Sequence, residues 1–90
     1  MVAWQADPSA LFESRLGQSL HEQDPESCDD NKTCPDIWRL SNGDVAVIGQ
    51  DLTDAYAARL PEGVALGAGE RLVIIPGIML SNAKKDIPDG

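Results

Sequence analysis

Apolar and polar residues divide this chain into two parts that meet near residue 35. Asp7-Pro8 is a typical helix start, because Asp caps a helix and Pro suits its first turn. The apolar residues that follow lie near one face at helical spacing, and they predict a helix docked on the rest of the domain. These residues are Leu11, Phe12, Leu16 and Leu20. Residues 21–36 contain no large apolar side chain and predict a loop.

The second part begins with a predicted β-hairpin. Asn42-Gly43 separates the apolar runs 37–40 and 45–48, and Asn-Gly favours a two-residue hairpin turn because both residues tolerate positive φ. A loop of these two residues pairs Trp38 with Val47. It also predicts that Trp38, Leu40, Val45 and Val47 share one face of the hairpin.

The remaining residues predict a helix, a strand and a second helix. Thr53 is the expected N-cap of a helix over 54–60, and residues 72–75 form an apolar run typical of a central strand. A last helix is predicted over 78–85. We expect the core at eight apolar residues, namely Trp38, Leu40, Val45, Val47, Leu52, Leu60, Leu72 and Ile74.

The resulting fold class is α+β with the element order α-β-β-α-β-α. We predict a small three-stranded, mainly antiparallel sheet with two or three helices. The third strand pairs beside the first (order 2-1-3) or beside the second, and we prefer 2-1-3 because it is entirely antiparallel. Residues 1–33 are predicted to hold the N-terminal helix and an acidic loop, and residues 34–90 the small α+β core.

Charge narrows the classes of partner. The chain has 15 acidic residues against seven Lys and Arg, which gives a net charge of −8. Nucleic-acid binding needs a basic surface, so we predict no nucleic-acid partner. No apolar run approaches 18 residues, so we predict no membrane span. The N-terminus lacks the pattern of a secretory signal, which predicts a cytoplasmic protein.

The two cysteines, Cys28 and Cys34, leave three chemical states open. They can remain free thiols, close a disulfide, or bind zinc with His21 and a carboxylate. Their spacing differs from the usual zinc-binding pairs, and a reducing compartment favours free thiols. Cys34 with His21 is also the one nucleophile–base pair that the chain offers. We therefore predict no metal, no cofactor and no catalytic residue.

Three motifs resemble a group of small uncharacterised actinobacterial proteins. They are Cys-Pro-Asp-Ile-Trp from residue 34, Gly-Asp-Val-Ala-Val-Ile-Gly from residue 43, and Arg-Leu-Val-Ile-Ile-Pro from residue 71. The likeness covers residues 34–89 and leaves out residues 1–33. It implies a small cytosolic protein of the kind found beside helix-turn-helix regulators, and it transfers no functional residue.

We therefore predict a non-catalytic, acidic protein–protein interaction module, tied to a regulator. The expected partner is another protein of basic character, and a homodimer is an alternative. The predicted contact residues are one tryptophan and six acids, namely Trp4, Glu22, Asp24, Glu26, Asp29, Asp30 and Asp36. Two other functions stay open: a precursor or substrate polypeptide that a partner enzyme modifies, and a small thiol-dependent redox protein.

Overall fold

Five strands and two short α-helices are present in the part of the chain that the structure describes. The structure is a computed structural model and describes residues 4–18 and 34–87. The strands are β1 (Phe12–Arg15), β2 (Asp36–Leu40), β3 (Val45–Ile48), β4 (Gln50–Asp51) and β5 (Val73–Ile74), and the α-helices are α1 (Thr53–Tyr56) and α2 (Gly77–Ala83). β1, β2 and β3 form an antiparallel sheet in that order, and β4 pairs with β5. The fold class is therefore α+β.

The predicted hairpin is confirmed, but its predicted register is wrong by one residue. Trp38 pairs with Ala46 rather than with Val47. The loop has three residues, because the Leu40 N–H donates to the Asp44 carbonyl (2.8 Å) and the Gly43 N–H donates to the Leu40 carbonyl (3.0 Å). Gly43 has a φ of 91°, as expected of a hairpin whose turn is followed by a left-handed glycine.

The register decides which residues share a face. A shift of one residue moves a strand's side chains relative to their expected partners on the neighbouring strand. Val45 therefore faces Arg39, and Val47 faces Ile37. We call this the inner face, because Ile37 is buried there, and the opposite side, which carries Trp38, the outer face.

The predicted N-terminal helix is wrong, because part of this segment forms strand β1. β1 pairs antiparallel with β2, and a bulge between Phe12 and Ser14 shifts its register. The bulge places both Phe12 and Arg15 on the outer face beside Trp38. Pairing with β2 supplies hydrogen bonds to residues whose spacing alone favoured a helix. Leu20 lies outside the described residues.

The predicted strand order 2-1-3 is also wrong. The position beside β2 that we assigned to residues 72–75 is occupied by β1. The strand in that run is β5, which has two residues and pairs with β4. Val73 and Ile74 are both more than a third exposed, so β5 is not a central strand.

The two predicted helices downstream are present in shorter form. α1 and α2 each continue into a 3₁₀ turn, at Ala57–Arg59 and Lys84–Asp86. Thr53 is the first residue of α1 rather than its N-cap. The N-cap is Leu52. Asp51, the residue before it, accepts hydrogen bonds at Oδ1 from the Thr53 N–H (3.0 Å) and hydroxyl (2.6 Å).

The core lies between the inner face and α2. Its buried apolar members are Leu16, Cys34, Ile37, Met79 and Ala83, with Ile75 packed against them. Gly17 permits a close approach, because a Cβ there would lie 3.0 Å from the Ala83 nitrogen. The predicted core is wrong in its members. Val45 and Val47, for example, lie on the inner face but are 54% and 43% exposed.

Candidate functional site

An apolar groove of about 340 Å³ lies among the described residues. It lies beside the core, between the inner face and α2. Four of its side chains are far from buried: Val45 is 54% exposed, Val47 43%, Leu80 60% and Ile87 46%. The lining residues in the described part of the chain are Leu16, Ile37, Arg39, Gly43, Val45, Val47, Ile75, Leu80, Ala83 and Ile87.

The sheet and α2 position these side chains. β3 holds Val45 and Val47 on the same face because side chains alternate along a strand. Met79 points from α2 into the core, and its neighbour Leu80 is 60% exposed at the groove. The groove therefore continues the apolar surface of the core out to solvent.

Basic residues lie at one end of the groove. Arg39 is its charged lining residue, and its guanidinium donates to the Asp86 carbonyl (3.1 Å). Lys84 and Lys85 are exposed in the turn that joins two lining residues, Ala83 and Ile87. The described residues hold nine acids and six bases, so six acids and one base, a net charge of −5, lie outside them.

The outer face carries a cluster of aromatic and charged side chains. Phe12 and Trp38 meet edge to face, with ring centroids 5.7 Å apart. The Arg15 guanidinium lies 4.9 Å from the centroid of Trp38 and forms an ion pair with Asp36 at 3.0 Å. The Asp36 side chain is 14% exposed. Because Arg15 pairs with it, its carboxylate is already partnered within the chain.

A second charged cluster surrounds Asp51. Its carboxylate accepts the two hydrogen bonds from Thr53 and forms an ion pair with Arg71 at 2.8 Å. The Thr53 hydroxyl, the Thr53 N–H and Arg71 together lower the pKa of Asp51 to about 2. Arg71 directly precedes Leu72, whose N–H donates to the Thr53 hydroxyl (2.8 Å). This cluster fastens the start of α1 to the chain leading into β5.

Residues 4–18 and 34–87 contain no group of three or more His, Cys, Asp or Glu that could hold a metal ion. His21 lies outside them. Within the same ranges, no helix has the length and apolar character needed to cross a membrane.

Cys34 is disulfide-bonded and 8% exposed. The chain has one other cysteine, Cys28, which lies outside the described residues. The bonded state is the alternative that we ranked below free thiols on the assumption of a reducing compartment.

Two of the seven predicted contact residues lie in the described part of the structure. Trp4 is 73% exposed, and Asp36 is paired with Arg15. The other five lie outside the described residues, so their role stays a prediction; these are Glu22, Asp24, Glu26, Asp29 and Asp30.

No family model matches the chain, and no similar curated protein and no similar solved structure was found. The resemblance based on the three motifs therefore stays a prediction.

Sequence reasoning missed the groove. Its recognition depends on the hairpin register, and the dipeptide Asn42-Gly43 pointed to a loop one residue too short. A usable signal was present in Ile78-Met79-Leu80, because three consecutive apolar residues on a helix cannot all face the same core. That run predicts at least one apolar side chain outside the core, as Leu80 is.

Proposed function

We propose that this chain is a non-catalytic protein-interaction module that binds an aliphatic segment of another protein in the apolar groove. The exposure of Leu80 and Ile87 beside a continuous apolar lining is the observation that supports the proposal. Exposed apolar surface that continues a core is typical of interaction sites. Burying it on a partner removes that surface from water, at about 25 cal/mol per Å².

A polypeptide fits the groove better than a small polar ligand does. Sites for small molecules usually add several convergent polar groups to an apolar lining. Among the described lining residues, the one charged side chain is that of Arg39, and it already donates to the Asp86 carbonyl.

The acidic loop predicted over residues 21–36 is proposed to speed association with a basic partner. Exposed charges act mainly on the association rate, and salt screens them over about 8 Å at physiological ionic strength. Partner affinity should therefore fall as salt rises. Asp29→Asn with Asp30→Asn should weaken binding at low salt. Asp54→Asn with Glu62→Gln is the matched control, because it makes the same change of charge at two exposed acids outside that loop.

Site-specific photocrosslinking tests the groove. A photoreactive residue in place of Leu80 should capture one protein at a stoichiometry near one to one, whereas the same residue in place of Val64 should not. Val64 is 52% exposed and does not line the groove, so it is a matched control. Leu80→Glu should reduce recovery of that protein at least tenfold, and Val64→Glu should leave recovery unchanged. Equal capture or equal recovery at both positions contradicts the proposal.

The alternative functions make different predictions in the same preparation. A substrate polypeptide should carry a mass shift when it is isolated from cells. A thiol-dependent redox protein should show turnover that Cys34→Ser abolishes. Cys34 is disulfide-bonded and buried, and no observation on the described residues favours either alternative over the interaction module.

A further inference from the structure

The two edges of the three-stranded sheet differ in how they are protected. β1 carries a bulge between Phe12 and Ser14, and charged residues flank Ser14 on both sides. Bulges and charges are devices that stop an edge strand from pairing with another chain. β3 has the sequence Val-Ala-Val-Ile, and its pairing with β2 is regular. β3 is therefore the edge of this sheet that is suited to accept a further strand.

Two residues of β3 direct their backbone groups away from β2. The hydrogen bond from the Leu40 N–H to the Asp44 carbonyl begins the ladder between the two strands. Hydrogen-bonded and non-hydrogen-bonded pairs alternate along an antiparallel ladder, so Ala46 is the next residue to exchange bonds with β2. The N–H and C=O groups of Val45 and Val47 consequently face the open edge.

We propose that β3 pairs antiparallel with β3 of a second copy, about a two-fold axis at Ala46. Each Val45 then faces Val47 of the other copy and exchanges both backbone hydrogen bonds with it. Ala46 faces its own counterpart. Asp44 faces Ile48, so no like charges lie opposite each other. The two three-stranded sheets become one continuous sheet.

A second copy suits this edge because the edge is complementary to itself. Val45 and Val47 lie symmetrically on either side of Ala46, and both face outward. A two-fold rotation about Ala46 therefore brings each outward N–H opposite an outward carbonyl of the other copy, as an isologous interface requires. The side chains of Val45 and Val47 also line the groove. Pairing therefore places the two grooves side by side on one face of the joined sheet, where each stays open to a partner.

Size and charge predict a reversible dimer. A standard interface takes about 800 Å² from each partner, out of a surface of 7065 Å² here. An edge of four residues offers less, so the dimer should dissociate on dilution. Each copy carries a net charge of −8, so added salt should strengthen the dimer. Salt is expected to weaken binding of a basic partner, which separates this inference from the proposed function.

Measurement of mass against concentration tests the dimer. Sedimentation of the full chain should move from 9.6 kDa toward twice that mass as concentration rises. Val47→Pro should raise the dissociation constant at least tenfold, because it removes an outward N–H that β2 does not use. Circular dichroism checks that this variant is folded. A monomer at every concentration, or a folded Val47→Pro chain that dimerises like the wild type, overturns the proposal.

Cysteine pairing tests the register without weakening the edge. Ala46→Cys places the two sulfur-bearing residues opposite each other, with Cα atoms about 4.5 Å apart in a non-hydrogen-bonded pair. Ile48→Cys is the matched control on the same face, because a four-residue offset separates its two copies by about 13 Å, beyond the reach of a disulfide. Under glutathione disulfide, Ala46→Cys should give at least ten times more covalent dimer, with peptide mapping locating the new bridge. Equal yields from the two variants overturn the register.

Discussion

Met79→Ala is the most direct test of how α2 packs on the sheet. The Met79 side chain is 1% exposed and belongs to the same core cluster as Leu16 and Ile37. The substitution removes the Cγ, Sδ and Cε atoms and leaves a cavity, so the free energy of unfolding should fall by about 2–5 kcal/mol. A domain of this length is stable by about 5–14 kcal/mol, so the loss is a large fraction of the total.

Urea unfolding followed by circular dichroism measures this loss. With a slope of about 1–3 kcal/mol per molar urea, the midpoint should fall by about 1 M or more. Leu80→Ala is the matched control, because Leu80 is the next residue of α2 and is 60% exposed. Its cost should stay below about 1 kcal/mol. If Leu80→Ala costs as much as Met79→Ala, the orientation of α2 described above is wrong, and so is the groove.

Three further predictions concern the hairpin turn, the Asp51 carboxylate and the disulfide of Cys34. Gly43 has a φ of 91° and no atom within 4 Å of an added Cβ. Gly43→Ala should therefore destabilise the chain by about 1–2 kcal/mol in thermal melts. Gly77→Ala should cost less in the same melts, because Gly77 needs no positive φ and no atom lies within 4 Å of its added Cβ. NMR titration should give the Asp51 carboxyl a pKa of about 2, and Thr53→Val should raise that pKa. Folding lowers the pKa from 3.8, so the stabilising effect of the carboxylate is complete above about pH 4 and is lost as the pH falls toward 2. Thiol counting in denaturant without reductant should find no free thiol, and reduction should cost about 2 kcal/mol; two free thiols before reduction would contradict the bonded state of Cys34.

Local pattern was sufficient where neighbouring residues make the structure themselves. The hairpin and the positions of β2 and β3 follow from two apolar runs around a turn signal, and the structure confirms them. The two downstream helices were also predicted in place, although each is shorter than expected and ends in a 3₁₀ turn. Short apolar runs between glycine and proline residues leave few alternatives at this level.

Tertiary structure decided everything that depends on pairing between distant segments. Phe12–Arg15 fits a helical stripe by spacing, yet it pairs with β2 across more than twenty residues. The gain from that pairing exceeds a helix propensity worth only tenths of a kcal/mol per residue. The pattern of neighbouring residues does not reveal the free energy gained by pairing with a distant strand. The N-terminal helix and the strand order 2-1-3 were therefore both predicted wrongly.

The lining of the candidate groove likewise depends on strand pairing, here on a hairpin register that differs by one residue from the predicted one. The sequence by itself determined that residues 37–40 and 45–48 form adjacent strands, because their turn and apolar runs are local. It did not determine that the loop has three residues, and this choice places Val45 and Val47 on the inner face, where they line the groove. Packing of Met79 in one cluster with Ile37 fixes which face is buried. The buried face is a property of the assembled layers, since β2 and β3 are apolar on both sides and have no preference of their own.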